Sequence, residues 1–198
     1  MRTRSLMRTV LWIVTLLRVA LIPVFVELAL RAQEIGRAGG DVDAFRLGAL
    51  AVLFVMGGSD VLDGWIARRF ALATQVGAVV DAVADKVVQV ALVAFFTLSV
   101  GPVFITLPLW FLIVIFGRDP VLLVGVLVLR VRYGPLRVVH RPHGRIASLA
   151  VFGVLFWAAF DLPPVGLAAA LVVTAALSVA TATRYALDGA AQGRALAR

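Results

Sequence analysis

Asp60-Val61-Leu62-Asp63-Gly64-Trp65-Ile66-Ala67-Arg68, eight further residues, then Gly77-Ala78-Val79-Val80-Asp81-Ala82-Val83-Ala84-Asp85 is the stretch on which the reading of this chain turns. On a helix, residues three or four apart share a face. Asp60, Asp63, Gly64 and Ala67 therefore form one stripe, and Gly77, Asp81 and Asp85 form another. The short connection predicts two antiparallel neighbouring helices whose acidic stripes face each other. Gly64, Ala67 and Gly77 keep those stripes thin, so that backbone or ligand can approach closely.

The surroundings make the acids expensive. Of 198 residues, 62% are hydrophobic and only 15% are charged, whereas soluble domains carry about 25% charged residues. A soluble globular protein and a disordered one are both excluded on these figures. Apolar runs of roughly 20 residues are long enough to cross a bilayer. They fall at Val10–Leu30, Phe45–Gly58 with its helix continuing to Arg68, Val76–Val100, Pro102–Leu129, Ile146–Phe160 and Val165–Ala186. The expected fold is an all-α polytopic membrane protein with six transmembrane helices, one domain over residues 1–198. The start, rich in Arg, does not read as a cleavable signal, because its apolar run is too long and lacks a small-residue cleavage site.

Arginine supports the same count. Arg2, Arg4 and Arg8, then Arg68 and Arg69, then Arg130, Arg132, Arg137, Arg141 and Arg145, then Arg184, Arg194 and Arg198 all fall on one side of six crossings. The opposite connections are poor in Arg, so the positive-inside rule places both termini in the cytoplasm. The net charge of +8 is then a property of loops facing anionic lipid, and nucleic acid is not the expected partner. The absence of Cys excludes disulfides, thiolate metal sites and a Cys nucleophile.

Four carboxylates in one low-dielectric pocket need cations or protons. One reading pairs them with Arg68, Arg69 and Lys86, or leaves them partly protonated. The functional reading is a divalent-metal site of all-oxygen ligands, suited to Mg²⁺ or Mn²⁺. Four carboxylates suit two ions, as in phosphoryl-transfer sites. A divalent-cation transporter also wants intramembrane Asp, but it does not want Arg68 and Lys86 beside the acids.

The whole pattern, Asp60-x-x-Asp63-Gly64-x-x-Ala67-Arg68, eight residues, Gly77-x-x-x-Asp81-x-x-x-Asp85, resembles the signature of the CDP-alcohol phosphotransferases. The resemblance implies six membrane helices and a homodimer. It implies displacement of CMP from CDP-diacylglycerol by a polar or phosphorylated alcohol, in phospholipid synthesis. It implies Asp60, Asp63 and Asp81 as metal ligands, and Asp85 as both metal-proximal and the general base. Gly64, Ala67 and Gly77 would lie against the nucleotide, and Arg68 would grip the pyrophosphate. The site would sit near the cytoplasmic face of a bacterial-type inner membrane.

For the acceptor, Thr15-Leu16-Leu17-Arg18 with Ile22-Pro23, and Asp81-Ala82-Val83-Ala84-Asp85-Lys86, resemble the phosphatidylglycerophosphate synthase branch, which implies glycerol 3-phosphate. Gly117-Arg118-Asp119 resembles the cardiolipin synthase branch, whose acceptor is phosphatidylglycerol. Inositol-phosphate acceptors are a third reading. Arg118, Arg145 and Arg184 are the candidate cations for an acceptor phosphate. Pro120 is expected to disturb the fourth helix beside Arg118 and Asp119. His140 and His143 read as surface residues of an Arg-rich loop, the four Trp as interface or packing residues, and Glu27 is undecided between a pore charge and a packing partner.

Overall fold

A computed structural model of the chain describes residues 2–69, 75–133 and 143–196. Among the described residues there are six helices and no strand: α1 Arg2–Arg37, α2 Asp43–Arg69, α3 Gln75–Leu98, α4 Leu109–Tyr133, α5 His143–Ala159 and α6 Leu167–Leu196. Two of them contain stretches long and apolar enough to cross a membrane, Ile13–Arg37 and Leu167–Arg184. Large apolar side chains such as Leu16, Phe54, Ile113 and Val172 stand more than half exposed. In bulk water such surfaces are a liability, whereas lipid solvates them.

Two compact units make up the chain. The first is Met1–Thr106 with Ala158–Leu162, and the second is Leu107–Trp157 with Pro163–Arg198. In the first unit α1 packs on both α2 and α3. Ala29, Ala32 and Ala49 are fully buried there, and small side chains let helix backbones approach closely. Behind them Phe25, Phe95, Phe96 and Phe104 form an aromatic cluster. Phe25 and Phe95 meet edge-on at 5.3 Å, and Phe96 and Phe104 do so at 5.8 Å. In the second unit α4 packs on α6, burying Phe111, Ile115, Leu167 and Leu171.

The helix ends follow local chemistry. α1 runs past Leu30 to Arg37, where a Schellman motif stops it. Gly40 N–H donates to Ile35 O and Gly39 N–H to Gly36 O, with Gly39 at a φ of 72°. Glycine has no Cβ to oppose that conformation. Asp41 then accepts the Asp43 N–H through its carboxylate at 2.9 Å and starts α2.

Some expected boundaries are wrong. α4 begins at Leu109 and not at Pro102. Residues 99–108 are irregular, and their backbone is satisfied from elsewhere. Val103 N–H donates to the side chain of the fully buried Gln33 at 3.0 Å, and Ile105 N–H donates to Ala158 O at 3.1 Å. Pro120 does not interrupt α4, which is continuous across Arg118, Asp119 and Pro120. A proline removes one bond, here to the Phe116 carbonyl, and apolar membrane helices tolerate that loss. α1 starts before Val10 and α6 continues beyond Ala186, because helix-forming residues extend each apolar run.

Candidate active site

The backbone of α2 is helical without a break through Asp60, Asp63, Gly64, Ala67 and Arg68, and that of α3 through Gly77, Asp81 and Asp85. The register read from the sequence therefore stands. The first four share one face of α2, and the three positions on α3 share another. All belong to the first compact unit. The side chains of Asp60, Asp63, Ala67, Arg68 and Asp81, and the surroundings of Gly64 and Gly77, lie outside the described set.

Asp85 is described, and its partner comes from α1. The Arg18 guanidinium donates through Nη1 to Asp85 Oδ1, forming a salt bridge. Arg18 also donates through Nε to Ser59 Oγ at 3.2 Å. Ser59 Oγ in turn donates to the Met56 carbonyl at 3.0 Å. Arg18 is only 1% exposed, and Asp85 retains 27%. One buried cation thus ties α1 to α3 at an acid of the signature, and to α2 at the residue preceding Asp60.

Arg18 and Ser59 are not among the residues expected at the acids, where Arg68, Arg69 and Lys86 are the cations that the sequence suggests. A signal was present: an arginine eight residues into an apolar span must find a counter-charge. Which acid it finds depends on how three helices pack, and Arg18 and Asp85 are 67 residues apart.

The candidate acceptor cations lie in the second unit, with Arg118 on α4, Arg145 in the first turn of α5 and Arg184 on α6. Arg184 is exposed. The side chains of Arg118 and Arg145 are outside the described set, as is the side chain of His143, and His140 lies outside the described residues altogether. Glu27 is a surface partner of Arg31, which donates to it at 2.6 Å, with both side chains more than half exposed. Arg31 also stands over the Phe45 ring. Trp157 is a packing residue: its indole N–H donates to Pro163 O at 3.1 Å. Its ring fills the space where Gly166 would carry a Cβ, 2.6 Å from Cη2.

The donor chemistry of the signature is all carboxylate oxygen, which fits a hard divalent ion. Among the described residues no three acid or histidine side chains gather, and three of the four acids lie outside that set. Pairing through Oδ1 does not exhaust Asp85, since a carboxylate offers about four acceptor sites.

A helical membrane protein with acidic positions in register on each of two consecutive helices is the class defined so far. Residues 9–183 match the family model for CDP-alcohol phosphatidyltransferase, and the chain belongs to that family. A protein of Mycobacterium tuberculosis named a probable phosphatidylglycerophosphate synthase is 34% identical over 179 residues, covering 87% of this chain and 78% of that one. A cardiolipin synthase (CMP-forming) of Streptomyces coelicolor is 34% identical over 166 residues, 73% of this chain and 72% of its own. A CDP-diacylglycerol–glycerol-3-phosphate 3-phosphatidyltransferase of Bacillus subtilis is 33% identical over 110 residues, 54% of each. The protein is a phosphatidyltransferase of phospholipid synthesis that uses CDP-diacylglycerol and an alcohol acceptor. The family is generally dependent on a divalent cation.

Proposed function

We propose that this protein transfers the phosphatidyl group of CDP-diacylglycerol to glycerol 3-phosphate, releasing CMP. The observation that carries the reaction is the eight-position signature on the unbroken helices α2 and α3, with Asp85 held by a buried arginine. The acceptor rests on relatives named for phosphatidylglycerophosphate synthesis and for glycerol 3-phosphate and on the candidate cations Arg118 on α4, Arg145 on α5 and Arg184 on α6.

In this reading Asp85 accepts the proton of the acceptor hydroxyl as its oxygen attacks the phosphorus that bears diacylglycerol. The bond to the bridging oxygen breaks, and CMP carries that oxygen away. Arg68 grips the pyrophosphate with its planar fork. Gly64, Ala67 and Gly77 leave room for the nucleotide against backbone. Asp60, Asp63, Asp81 and Asp85 would hold two Mg²⁺ or Mn²⁺ ions, which supply charge neutralisation at the pyrophosphate. Arg118 and Arg145, with Arg184 in a lesser role, bind the acceptor phosphate.

The remaining architecture belongs to the same proposal. The chain is one domain with six membrane spans and both termini in the cytoplasm. It forms a homodimer in a bacterial inner membrane, and the site opens toward the cytoplasmic side. Arginine distribution supports the orientation.

Cardiolipin synthesis is the second reading, favoured by Gly117-Arg118-Asp119 and by the Streptomyces relative. One experiment separates the two. Purified protein receives CDP-diacylglycerol with glycerol 3-phosphate, phosphatidylglycerol or inositol phosphate, and products are read by mass. Turnover with phosphatidylglycerol and none with glycerol 3-phosphate overturns the first reading in favour of the second. CMP release with none of these acceptors present overturns acceptor-dependent transfer.

A further inference from the structure

We infer that Arg18 is a positioning residue of the active site, fixing the carboxylate of Asp85 and the α2 turn that leads into Asp60. The inference rests on the reading of Asp85 as the proton acceptor.

Arg18 lies within the apolar span of α1 but is only 1% exposed, so it neither snorkels to an interface nor anchors a loop. A buried ion pair adds little stability over well-packed apolar residues of similar size. Simple cohesion of α1 with its neighbours therefore does not call for an arginine here. The geometry offers another reason. Nη1 is committed to Asp85 Oδ1, and Nε is committed to Ser59 Oγ. Two contacts on different nitrogens of one rigid plane fix the orientation of that plane. Ser59 is itself held, because its hydroxyl donates to Met56 O. The chain of contacts thus runs from the α2 backbone through Ser59 and Arg18 to one oxygen of Asp85.

The three helices that Arg18 links bury their neighbouring residues. Thr15, one turn earlier on α1, is buried, and so are Met56 on α2 and Ala84 and Val88 on α3. Ser59 directly precedes Asp60. Arg18 therefore holds one acid directly and reaches, through Ser59, the turn of α2 that immediately precedes Asp60. A lysine ammonium is a point charge with no second nitrogen at a fixed angle. It keeps the attraction to Asp85 and loses the simultaneous bond to Ser59.

The test uses the full chain in nanodiscs, with kcat and KM measured for CDP-diacylglycerol and for the best acceptor. Activity is expressed per folded molecule from size-exclusion chromatography. Arg18→Met should lower kcat about 10- to 100-fold while both KM values stay within about twofold, as expected when a reacting group is misplaced. Arg18→Lys should recover part of that loss, and Ser59→Ala should lower kcat by about two- to fivefold, because the Arg18–Asp85 ion pair stays and only the second, orienting bond of the guanidinium is lost. Asp85→Asn is measured alongside. If Asp85→Asn keeps full activity, the reading of Asp85 fails and the inference falls with it. If Asp85→Asn is inactive while Arg18→Met keeps wild-type kcat per folded molecule, Arg18 is structural only and the inference alone is overturned. Where Arg18→Met yields no folded protein, Arg18→Lys and Ser59→Ala decide, and wild-type kcat in both overturns it.

Discussion

Replacing Asp85 with Asn removes one charge, keeps the volume and takes from the buried Arg18 guanidinium its ion pair at Asp85 Oδ1. The size of the effect follows from burial. Arg18 is 1% exposed and Asp85 27%. Removing one partner of a buried pair costs about 3–5 kcal/mol, because the remaining charge stays desolvated. Asp85 keeps some access to solvent, so the expected loss lies at the lower end, about 3 kcal/mol. On the scale of soluble domains of this length that lowers Tm by about 6–12 °C. The measurement is thermal unfolding in detergent with EDTA present, so that no divalent ion acts on the carboxylate. The double variant Arg18→Met, Asp85→Asn removes both charges and should return to within about 1 kcal/mol of wild type. The surface pair of Glu27 and Arg31, with side chains 60% and 57% exposed, supplies the contrast. Glu27→Gln should cost less than about 0.5 kcal/mol. If Asp85→Asn melts with wild type, or the double variant melts no higher than Asp85→Asn, the argument from burial is refuted.

Asp81→Asn should abolish CMP release while leaving the protein folded, and in metal-free buffer its stability should equal or exceed wild type because acidic repulsion is relieved; retained turnover at normal Mg²⁺ removes Asp81 from the proposed metal site. Arg68→Ala should raise KM for CDP-diacylglycerol by about tenfold or more, the loss of one charge-assisted bond. Arg118→Ala should instead raise KM for the acceptor, and a donor effect from both variants takes Arg118 out of the acceptor site. Inorganic phosphate at millimolar concentration should compete with glycerol 3-phosphate, and Arg145→Ala should remove that competition; an unchanged rate, with turnover driven by phosphatidylglycerol, favours the cardiolipin reading. Gln33→Leu should destabilise the first unit by about 1–3 kcal/mol, because the buried Val103 N–H loses its acceptor, and should leave the acceptor KM unchanged in steady-state assays.

The helical class was legible because it depends on local quantities. Long apolar runs and the spacing of Asp60, Asp63, Asp81 and Asp85 are features of short windows. The structure keeps the positions of the four acids on unbroken helix, and six helices take up most of the apolar runs. Boundaries were less legible for the same reason. Hydropathy marks where a chain is apolar, whereas α1 continues through Arg31, Glu34 and Arg37 until Gly39 permits a left-handed turn. Residues 102–108 are apolar enough to read as helix. They are irregular because Gln33 and Ala158, both remote in sequence, accept their backbone donors.

What the sequence determined by itself is therefore the class of fold, the family and the four acids with their register on two helices. The fold class and the register follow from periodicity and spacing, the family from the resemblance of the signature, and all of these survive any arrangement of the helices. Tertiary structure decided which charges meet. Glu27 lay nine residues from Arg18 on the same helix, and Arg68, Arg69 and Lys86 lay nearer to the acids in sequence. Yet Arg18 pairs with Asp85 on another helix, while Glu27 pairs with Arg31. The physical reason is that a buried charge is neutralised by whichever partner the packing of α1 against α2 and α3 brings within reach. Sequence separation does not enter that choice, and here it spans 67 residues.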